Sequence, residues 1–509
     1  MILPLLPLSH AFLGFLSIAW GRSARATLIC AFLFDAAAIG LYYAGSRWFG
    51  PVFVGGWKGP VGIALAFDPV SLAFLILGVL LELAVAVYVW REQRRPYFFM
   101  LLHALFAAAY ALILAQDLFN IYVILELLTL TSFLLVAYDR RARQVWASLK
   151  YLLLASLGMS LFLLGAAIAY GYTGSFNLAE IRTGIAGSPD GPWIAACAAL
   201  LVAGVAVKAG IFSFSLWLPA AHSTASTAIS ALLSGFVINM GVVVLIRLDS
   251  VFRLDLPLLV LGAVTGIAGA AYAIASLDVK RLLAFSTLSQ IGYLLVGLSL
   301  SGGAALTGVL AYAIAHGSVK GLLFLAAGES SRAVGSTLIR DLIGGRRRIP
   351  TGVRFGLLVG ILGIIGIPPL AVYVAKGAIL ASGKGGIDQA ILIALGVGSA
   401  ASFVKLIPLL RPWNRVRAPS RTGALWVLVL PVVLFAPLAV RLFPDIPSPT
   451  VWSGGFLWKG FATIGAGLLL GRFLLHRPLP LPQRIFRAEF GVLAILAGFL
   501  LIYLLLGGV

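Results

Sequence analysis

Apolar residues in this chain follow neither the two-residue alternation of a half-buried strand nor the narrow stripe of a surface helix. They run on for about 20 positions at a time between short polar connections, the length of helix that crosses a hydrocarbon core about 30 Å thick. About sixteen such segments can be counted, with approximate spans 2–20, 26–45, 69–90, 97–115, 117–138, 145–171, 193–218, 226–247, 256–277, 283–301, 304–328, 353–383, 388–410, 423–440, 456–471 and 488–507. The pattern predicts an all-α, polytopic integral membrane protein with about 14–16 transmembrane helices. The first run begins at Met1 without a basic leader, and no small-residue cleavage site follows it, so it is taken as helix 1 and not as a removable signal.

Two segments carry irregularities that a spanning helix must accommodate. The seventh ends in "FSLWLPAAHSTAST", with Pro219 followed by His222, and the twelfth reads "GILGIIGIPPLAVYVAKGAIL", with Pro368 and Pro369 in mid-span. Proline removes a backbone donor and clashes with the preceding turn, so both segments are expected to be broken there, leaving Pro219, His222, Pro368 and Pro369 as loop or gate positions. Irregular backbone at membrane depth is tolerated only inside protein or beside a water-filled cavity, and paired broken helices point to transport sites built on inverted repeats. The two breaks lie five segments apart, which predicts two inverted five-helix repeats, helices 4–8 and 9–13.

Composition sharpens this picture. Of 509 residues, 61% are hydrophobic and 11% charged, too few charges to cover a water-facing surface. The net charge of +20 comes from short basic clusters such as "REQRRP", "DRRARQ", "GGRRRIP" and "RPWNRVRAPSR", placed between apolar runs. Lys and Arg fall mainly in the connections after odd-numbered segments. This is the positive-inside pattern, with both termini on the extracytoplasmic side of the cytoplasmic membrane and anionic lipid, not nucleic acid, facing the clusters. The two cysteines, Cys30 and Cys197, have no CxxC or Cys/His spacing, and no phosphate loop or metal motif is present, so no cofactor, metal or catalytic site of its own is expected.

Few ionisable groups lie deep in the segments: Asp35, Glu82, His103, Glu126, Lys208, His316, Lys320, Lys376 and Lys405. Each Asp or Lys at mid-bilayer costs roughly 2.5–3.5 kcal/mol on insertion scales, so the set needs partners, water or a task. Lys208, in "VAGVAVKAGIFSF", has Glu126, in "DLFNIYVILELLTLTSF", as its nearest counter-charge in the first half. The pair is either a proton relay or a static buried ion pair; four lysines spread over helices 7, 11, 12 and 13, with too few acids to neutralise them, favour the relay. His316 and Lys320 are four residues apart and share a helix face. His103 stands without such company and is taken as structural. Asp35 and Glu82 are isolated acids, facing another subunit or a cation. Lys405 either joins the relay or snorkels to the interface.

These residues resemble a known family. "GGWKGPVGIALAFDPVS" and "DLFNIYVILELLTLTSF" are similar to the D-type subunit of Mrp multisubunit sodium/proton antiporters, and "DVKRLLAFSTLSQIGYLLVG", "HGSVKGLLFLAAG" and "GIPPLAVYVAKG" resemble the wider set of antiporter-like subunits shared with respiratory complex I and membrane-bound hydrogenases. The resemblance covers about residues 55–410. It implies that Glu126, Lys208 and Lys376 carry proton transfer, with the family's helix 11 His/Lys pair falling on His316 and Lys320. Where the family has a lysine or histidine on helix 8, this chain has Asn239, in "GFVINMGVVVLIR", which can order water but carries no net proton. Its preceding loop, "HSTAST", also lacks the family's proline before the threonine, and about two C-terminal helices exceed the family's usual fourteen.

The organisation expected from the resemblance is N-terminal helices over 1–96, a first antiporter-like repeat over 97–250, a second over 251–411, and C-terminal helices over 412–509. The relay would comprise Glu126, Lys208, Asn239, His316, Lys320, Lys376 and Lys405, in a subunit that moves protons, and Na⁺ in an Mrp-type assembly, beside other membrane subunits. As a membrane-arm subunit of an ion-translocating oxidoreductase it would take its driving force from partners. Alternative tasks are proton coupling in an inorganic-carbon uptake complex, stand-alone secondary transport, or a degenerate structural scaffold interrupted at Asn239.

Overall fold

A computed structural model describes residues 3–45, 51–57, 62–187, 191–300, 302–383, 385–411, 421–475, 479, 481–482, 486 and 488–507. Residues 58–61 of the "GGWKGPVG" motif and the basic stretch 412–420 lie outside the described residues. The helices are α1 Leu5–Ala19, α2 Ala26–Gly45, α3 Pro69–Val89, α4 Pro96–Leu114, α5 Leu118–Val136, α6 Ala142–Thr173, α7 Leu178–Gly187, α8 Pro192–Ala209, α9 Leu218–Thr224, α10 Thr227–Leu232 and α11 Ile238–Phe252. They continue with α12 Asp255–Ala275, α13 Val279–Leu298, α14 Gly303–Val334, α15 Ile339–Gly344, α16 Thr351–Ile365, α17 Ala371–Ser382, α18 Ile387–Phe403, α19 Gly423–Leu442, α20 Ser448–Val451, α21 Gly454–Leu475 and α22 Ala488–Leu505. Strands β1 (Val52–Phe53) and β2 (Ala64–Leu65) pair antiparallel, with Val52 opposite Leu65.

Each predicted apolar segment contains a helix, and ten helical stretches among the described residues are long and apolar enough to cross a membrane unaided. The chain is an all-α, multi-pass integral membrane protein. Large apolar side chains such as Phe15, Leu41, Leu153 and Leu469 face outward, as a lipid solvent permits. The short helices α7 and α15 were not anticipated, because they fall between apolar segments.

Two compact units form. One comprises Met1–Trp217, Val237–Pro257 and Ile485–Val509; the other comprises Leu218–Phe236 and Leu258–Arg484.

The same local plan occurs once in each unit. In the first, Asp117 caps α5 by accepting a hydrogen bond from the Asn120 amide at 2.7 Å, α6 runs for 32 residues to the left-handed Gly174, and Asn177 bridges back to Asp117 ahead of α7. In the second, Asp278 caps α13 through the Arg281 amide at 2.9 Å, α14 runs for 32 residues to the left-handed Gly335, and Leu338 bridges back to Asp278 ahead of α15. Thirty-two residues make a helix about 48 Å long, more than the hydrocarbon thickness, so each long helix returns its chain to the level where the next short helix starts.

Glycine contacts set the helix spacing. A Cβ on Gly204 of α8 would lie 2.7 Å from the Gly158 carbonyl oxygen and 2.7 Å from Phe162 Cβ, both on α6. A residue with a side chain at that crossing forces the two helices apart.

Candidate functional site

The seventh segment breaks where a glycine allows it. α8 ends at Ala209, and Gly210 adopts φ 74°, a left-handed conformation that L side chains reach only at a cost. The carbonyls freed at this end find other donors: Ser215 Oγ donates to Val207 O at 2.9 Å and Trp217 Nε1 to the same oxygen at 2.9 Å. Pro219, expected to break the helix, instead occupies the first turn of α9, where its missing N–H is no loss. Lys208 therefore sits in the last turn of α8, one residue before the break.

Lys208 is buried, and its ammonium reaches Leu125 O on α5 at 3.5 Å. The same oxygen accepts from Thr129 Oγ1 at 2.7 Å. Nζ also lies 5.6 Å from the centroid of the Tyr151 ring on α6, which packs against Trp217 with ring centroids 4.1 Å apart. Glu126 acts on this lysine and on Tyr151 electrostatically. Glu126 is part-exposed on α5 and makes no ion pair with Lys208 within 4.0 Å, an arrangement unlike the static buried ion pair that is the alternative to a relay. A carboxylate at a helix edge can stay hydrated while still biasing a charge one helix away.

Asn239 is buried in α11, directly after a π-turn at Leu233–Val237. Two residues on, Gly241 comes so close to Ala209 that a Cβ would fall 2.5 Å from its backbone. The Asn239 helix is thus packed on the end of α8 that carries Lys208. His222, on α9, meets the ring of Phe324 edge-on at 5.9 Å, within electrostatic range of Lys280 and Lys320.

The twelfth segment breaks at Gly366, with φ 91°, and Pro368 and Pro369 lie in the gap between α16 and α17, as expected. Lys376 extends from α17 to the Ile364 carbonyl, freed at the end of α16, at 3.4 Å. That oxygen also accepts from Ser399 Oγ at 3.4 Å, and Ser399 Oγ accepts from Gln290 Nε2 at 3.0 Å. Gln290 Oε1 in turn accepts from the Tyr312 hydroxyl, and the Tyr312 ring stacks on His316, with centroids 6.1 Å apart. Tyr293 adds its ring face 5.2 Å from Lys376 Nζ and donates its hydroxyl to Lys376 O at 3.2 Å. A buried polar network therefore runs from Tyr312 to Lys376, with His316 stacked on Tyr312 and its ring nitrogens making no hydrogen bond among the described residues.

Lys320, one turn after His316, donates to Leu283 O at 3.0 Å and to Ser286 Oγ, and His316, Lys320 and Lys376 lie within electrostatic range of one another. Beside Lys376 is a cavity of about 60 Å³, room for one or two waters, bounded in part by Lys459, Gly460 and Thr463 of α21. Lys405 lies just past α18, donating to Ser276 O at 2.6 Å on the wall of an open cavity of about 630 Å³ shared with Arg340 and Leu338.

Counting only ionisable groups missed Ser286, Gln290, Tyr293, Tyr312 and Ser399. A signal was available, since Ser286, Gln290 and Tyr293 recur at helical spacing on one face of α13. The part-buried ion pair of Arg247 with Asp68, in which Arg247 Nη2 also donates to Ser71 Oγ at 3.2 Å, joins residues 179 apart in sequence, one preceding α3 and the other within α11, so neither segment alone signals it. His103, taken as solitary, has His10 Nδ1 at 3.0 Å and Thr27 Oγ1 at 2.8 Å, and Asp35 and Glu82, taken as isolated acids, meet at the same place.

Known proteins resemble the chain in sequence and in fold. Residues 115–402 match the family described as NADH:quinone oxidoreductase/Mrp antiporter, transmembrane. The chain is 30% identical over 412 residues to the N-type subunit of an NADH-quinone oxidoreductase of Desulforudis audaxviator, covering 76% of this chain and 82% of that protein. It is 26% identical over 404 residues to the D-type subunit of a Na⁺/H⁺ antiporter of Alkalihalophilus pseudofirmus, with the same coverage, 76% and 82%. In fold it resembles a chain of the archaeal membrane-bound sulfane sulfur reductase (TM-score 0.78, 23% identity, 92% of this chain and 98% of that one). It also resembles a chain of the Mrp complex from a Dietzia species (TM-score 0.81, 23% identity, 98% of this chain and 59% of that one).

Proposed function

The chain belongs to the NADH:quinone oxidoreductase/Mrp antiporter family of transmembrane subunits, and we propose that it moves protons along two buried relays, one in each compact unit. The observation that carries this reading is the buried polar network of Tyr312, Gln290, Ser399 and Lys376, in which Ser399 Oγ and Lys376 Nζ both donate to the Ile364 carbonyl freed by the helix break, so that a water beside that carbonyl would carry the proton between them. In the first unit Lys208 holds the proton under the Tyr151 ring, Glu126 biases it from the part-exposed edge of α5, and Asn239 orders water beside α8. In the second, His316 and Lys320 hand protons toward Lys376, whose neighbouring cavity admits water, and Lys405 exchanges protons at its open cavity. Pro219, His222, Pro368 and Pro369 shape the two irregular segments, the second of which gives Lys376 its freed carbonyl.

The matching local plans around Asp117 and Asp278 support repeats over 97–250 and 251–411, flanked by helices over 1–96 and 412–509. Relatives named as subunits of antiporters and oxidoreductases favour an assembly with other membrane subunits, in which a Na⁺ gradient or electron transfer supplies the driving force. The distribution of basic connections supports an orientation with both termini outside the cytoplasm.

Proton uptake by the purified complex in vesicles, followed with a pH-sensitive dye, tests the reading. Lys208→Ala, Glu126→Gln and Lys376→Gln are each expected to lower the rate at least tenfold with assembly intact. Wild-type rates in Lys208→Ala and Lys376→Gln would leave a structural scaffold as the better account.

A further inference from the structure

The first unit holds a second set of buried ionisable groups, which the relays do not use. His10 on α1, Asp35 on α2, Glu82 on α3 and His103 on α4 are all fully shielded. His10 Nε2 lies 2.8 Å from Asp35 Oδ2 and 3.9 Å from Glu82 Oε1, and one donor atom from each of the three residues falls within 4.8 Å of the others.

Hydrogen placement follows from the network. The Thr27 hydroxyl donates to Ala24 O at 2.6 Å, so toward His103 Nε2, 2.8 Å away, it can only accept. With that proton on His103 Nε2 and both rings neutral, His103 Nδ1 accepts from His10 Nδ1–H at 3.0 Å. His10 Nε2 then turns a lone pair toward the two carboxylates. A lone pair and a carboxylate oxygen 2.8 Å apart repel unless a positive particle, a proton or a metal ion, sits between them. Asp35 Oδ1 and Glu82 Oε1 accept from no N–H or hydroxyl donor among the described residues, and the two carboxyls themselves lie within hydrogen-bond range of each other.

Donor type and geometry choose between the particles. Two carboxylates and a neutral imidazole carry a formal charge of −2, which one divalent ion cancels, or two protons, one between His10 and Asp35 and one shared by the two carboxyls. Imidazole nitrogen with carboxylate oxygen is a donor set for zinc-like ions, whereas magnesium and calcium take oxygen ligands in larger number. Zinc bonds of about 2.0–2.2 Å place tetrahedral ligand atoms about 3.3 Å apart, between the 2.8 and 3.9 Å found here. The outer atoms are already oriented as metal ligands usually are: His10 Nδ1 by His103, and Glu82 Oε2 by the Tyr110 hydroxyl at 3.4 Å. Phe106 stacks on His10 at 5.5 Å, and a Cβ on Gly14 would come 3.2 Å from His103 Cβ, so α1 and α4 hold the imidazoles in place.

We propose that His10, Asp35 and Glu82 form a binding site for one zinc-like divalent ion, with water as fourth ligand, that ties α1, α2 and α3 together. The site stands apart from the proton relays and does not depend on them.

The test is metal content of the purified full-length chain in its complex, stripped with a chelator, given Zn²⁺ alone, desalted and measured by elemental mass spectrometry. Wild type is expected to retain one more ion per complex than Asp35→Asn or Glu82→Gln, while Lys208→Ala retains the wild-type amount. Co²⁺ in place of Zn²⁺ should give the visible absorption of a four-coordinate site without a thiolate band, a readout on wild type that needs no variant. Absence of both retained Zn²⁺ and this Co²⁺ spectrum in wild type would overturn the proposal and leave a proton between His10 and Asp35. Undiminished retention in both folded carboxylate variants would overturn it equally, by placing the ion elsewhere.

Discussion

Gln290 is the link whose removal most directly tests the buried chain of the second unit. It is 1% exposed, donates to Ser399 Oγ at 3.0 Å and accepts from Tyr312, so Gln290→Leu keeps much of the volume and deletes both bonds. Tyr312 is fully buried, and its hydroxyl loses the Gln290 Oε1 acceptor. An orphaned buried donor costs about 1–3 kcal/mol. If protons pass this way, that cost appears in the barrier, and with about 1.4 kcal/mol per tenfold the transport rate falls by about 5- to 150-fold. Dye-reported proton uptake in vesicles, normalised to assembled complex, measures it. Ser402→Ala is the control, since Ser402 lies on the same helix as Ser399 but donates to Gly398 O at 2.8 Å within its own helix. Gln290→Leu assembled at wild-type levels and transporting within about twofold of wild type would refute the chain as a path.

Three further outcomes follow from the packing and the charges. Gly204→Ala, which drives a methyl to 2.7 Å from the Gly158 oxygen, should destabilise the protein by about 1–3 kcal/mol in thermal unfolding, whereas Gly171→Ala, with open space around it, should be neutral or slightly stabilising. Asp68→Asn leaves the mostly buried Arg247 guanidinium without its counter-charge and, because Asp68 itself is 29% exposed, should cost about 1–3 kcal/mol, with part recovered by adding Arg247→Met, as read from denaturation midpoints. Asp117 lies in the connection ahead of α5, and burial pushes its carboxyl from the ordinary 3.8 up to about 6. The folded state therefore binds this proton more tightly than the unfolded one, so its stabilising contribution is complete below about pH 4, is lost as pH rises to about 6, and is flat above. Asp117→Asn keeps a capping side chain, should remove that dependence, and should be more stable than wild type at pH 7 by up to about 3 kcal/mol.

Much of the site could be read from the sequence because charge inside an apolar run is costly enough to mark itself. Lys208, Lys376, His316 and Lys320 were singled out on that ground and all four are buried, the two relay lysines each beside a helix break. The prolines were a less reliable guide. Pro368 and Pro369 lie in a break, but Pro219 begins a helix, and the seventh segment breaks nine residues earlier at Gly210, a residue too common in this chain to stand out. Uncharged polar residues carry no such mark. Gln290, Ser399 and Tyr312 differ little from other membrane serines, glutamines and tyrosines until three helices bring them into one hydrogen-bonded line.

The sequence by itself determined the all-helical, membrane-spanning class, its segments and the family, because hydrophobic length and charge placement are local properties that lipid reads directly. Only the tertiary structure decided which polar groups meet. His10, Asp35, Glu82 and His103 come from four different helices, up to 93 residues apart, and their encounter depends on helix rotation and on the close approach of α1 to α4 at Gly14. Nothing in the spacing of any one helix encodes that rotation, since it is set by how neighbouring side chains fill the space between helices.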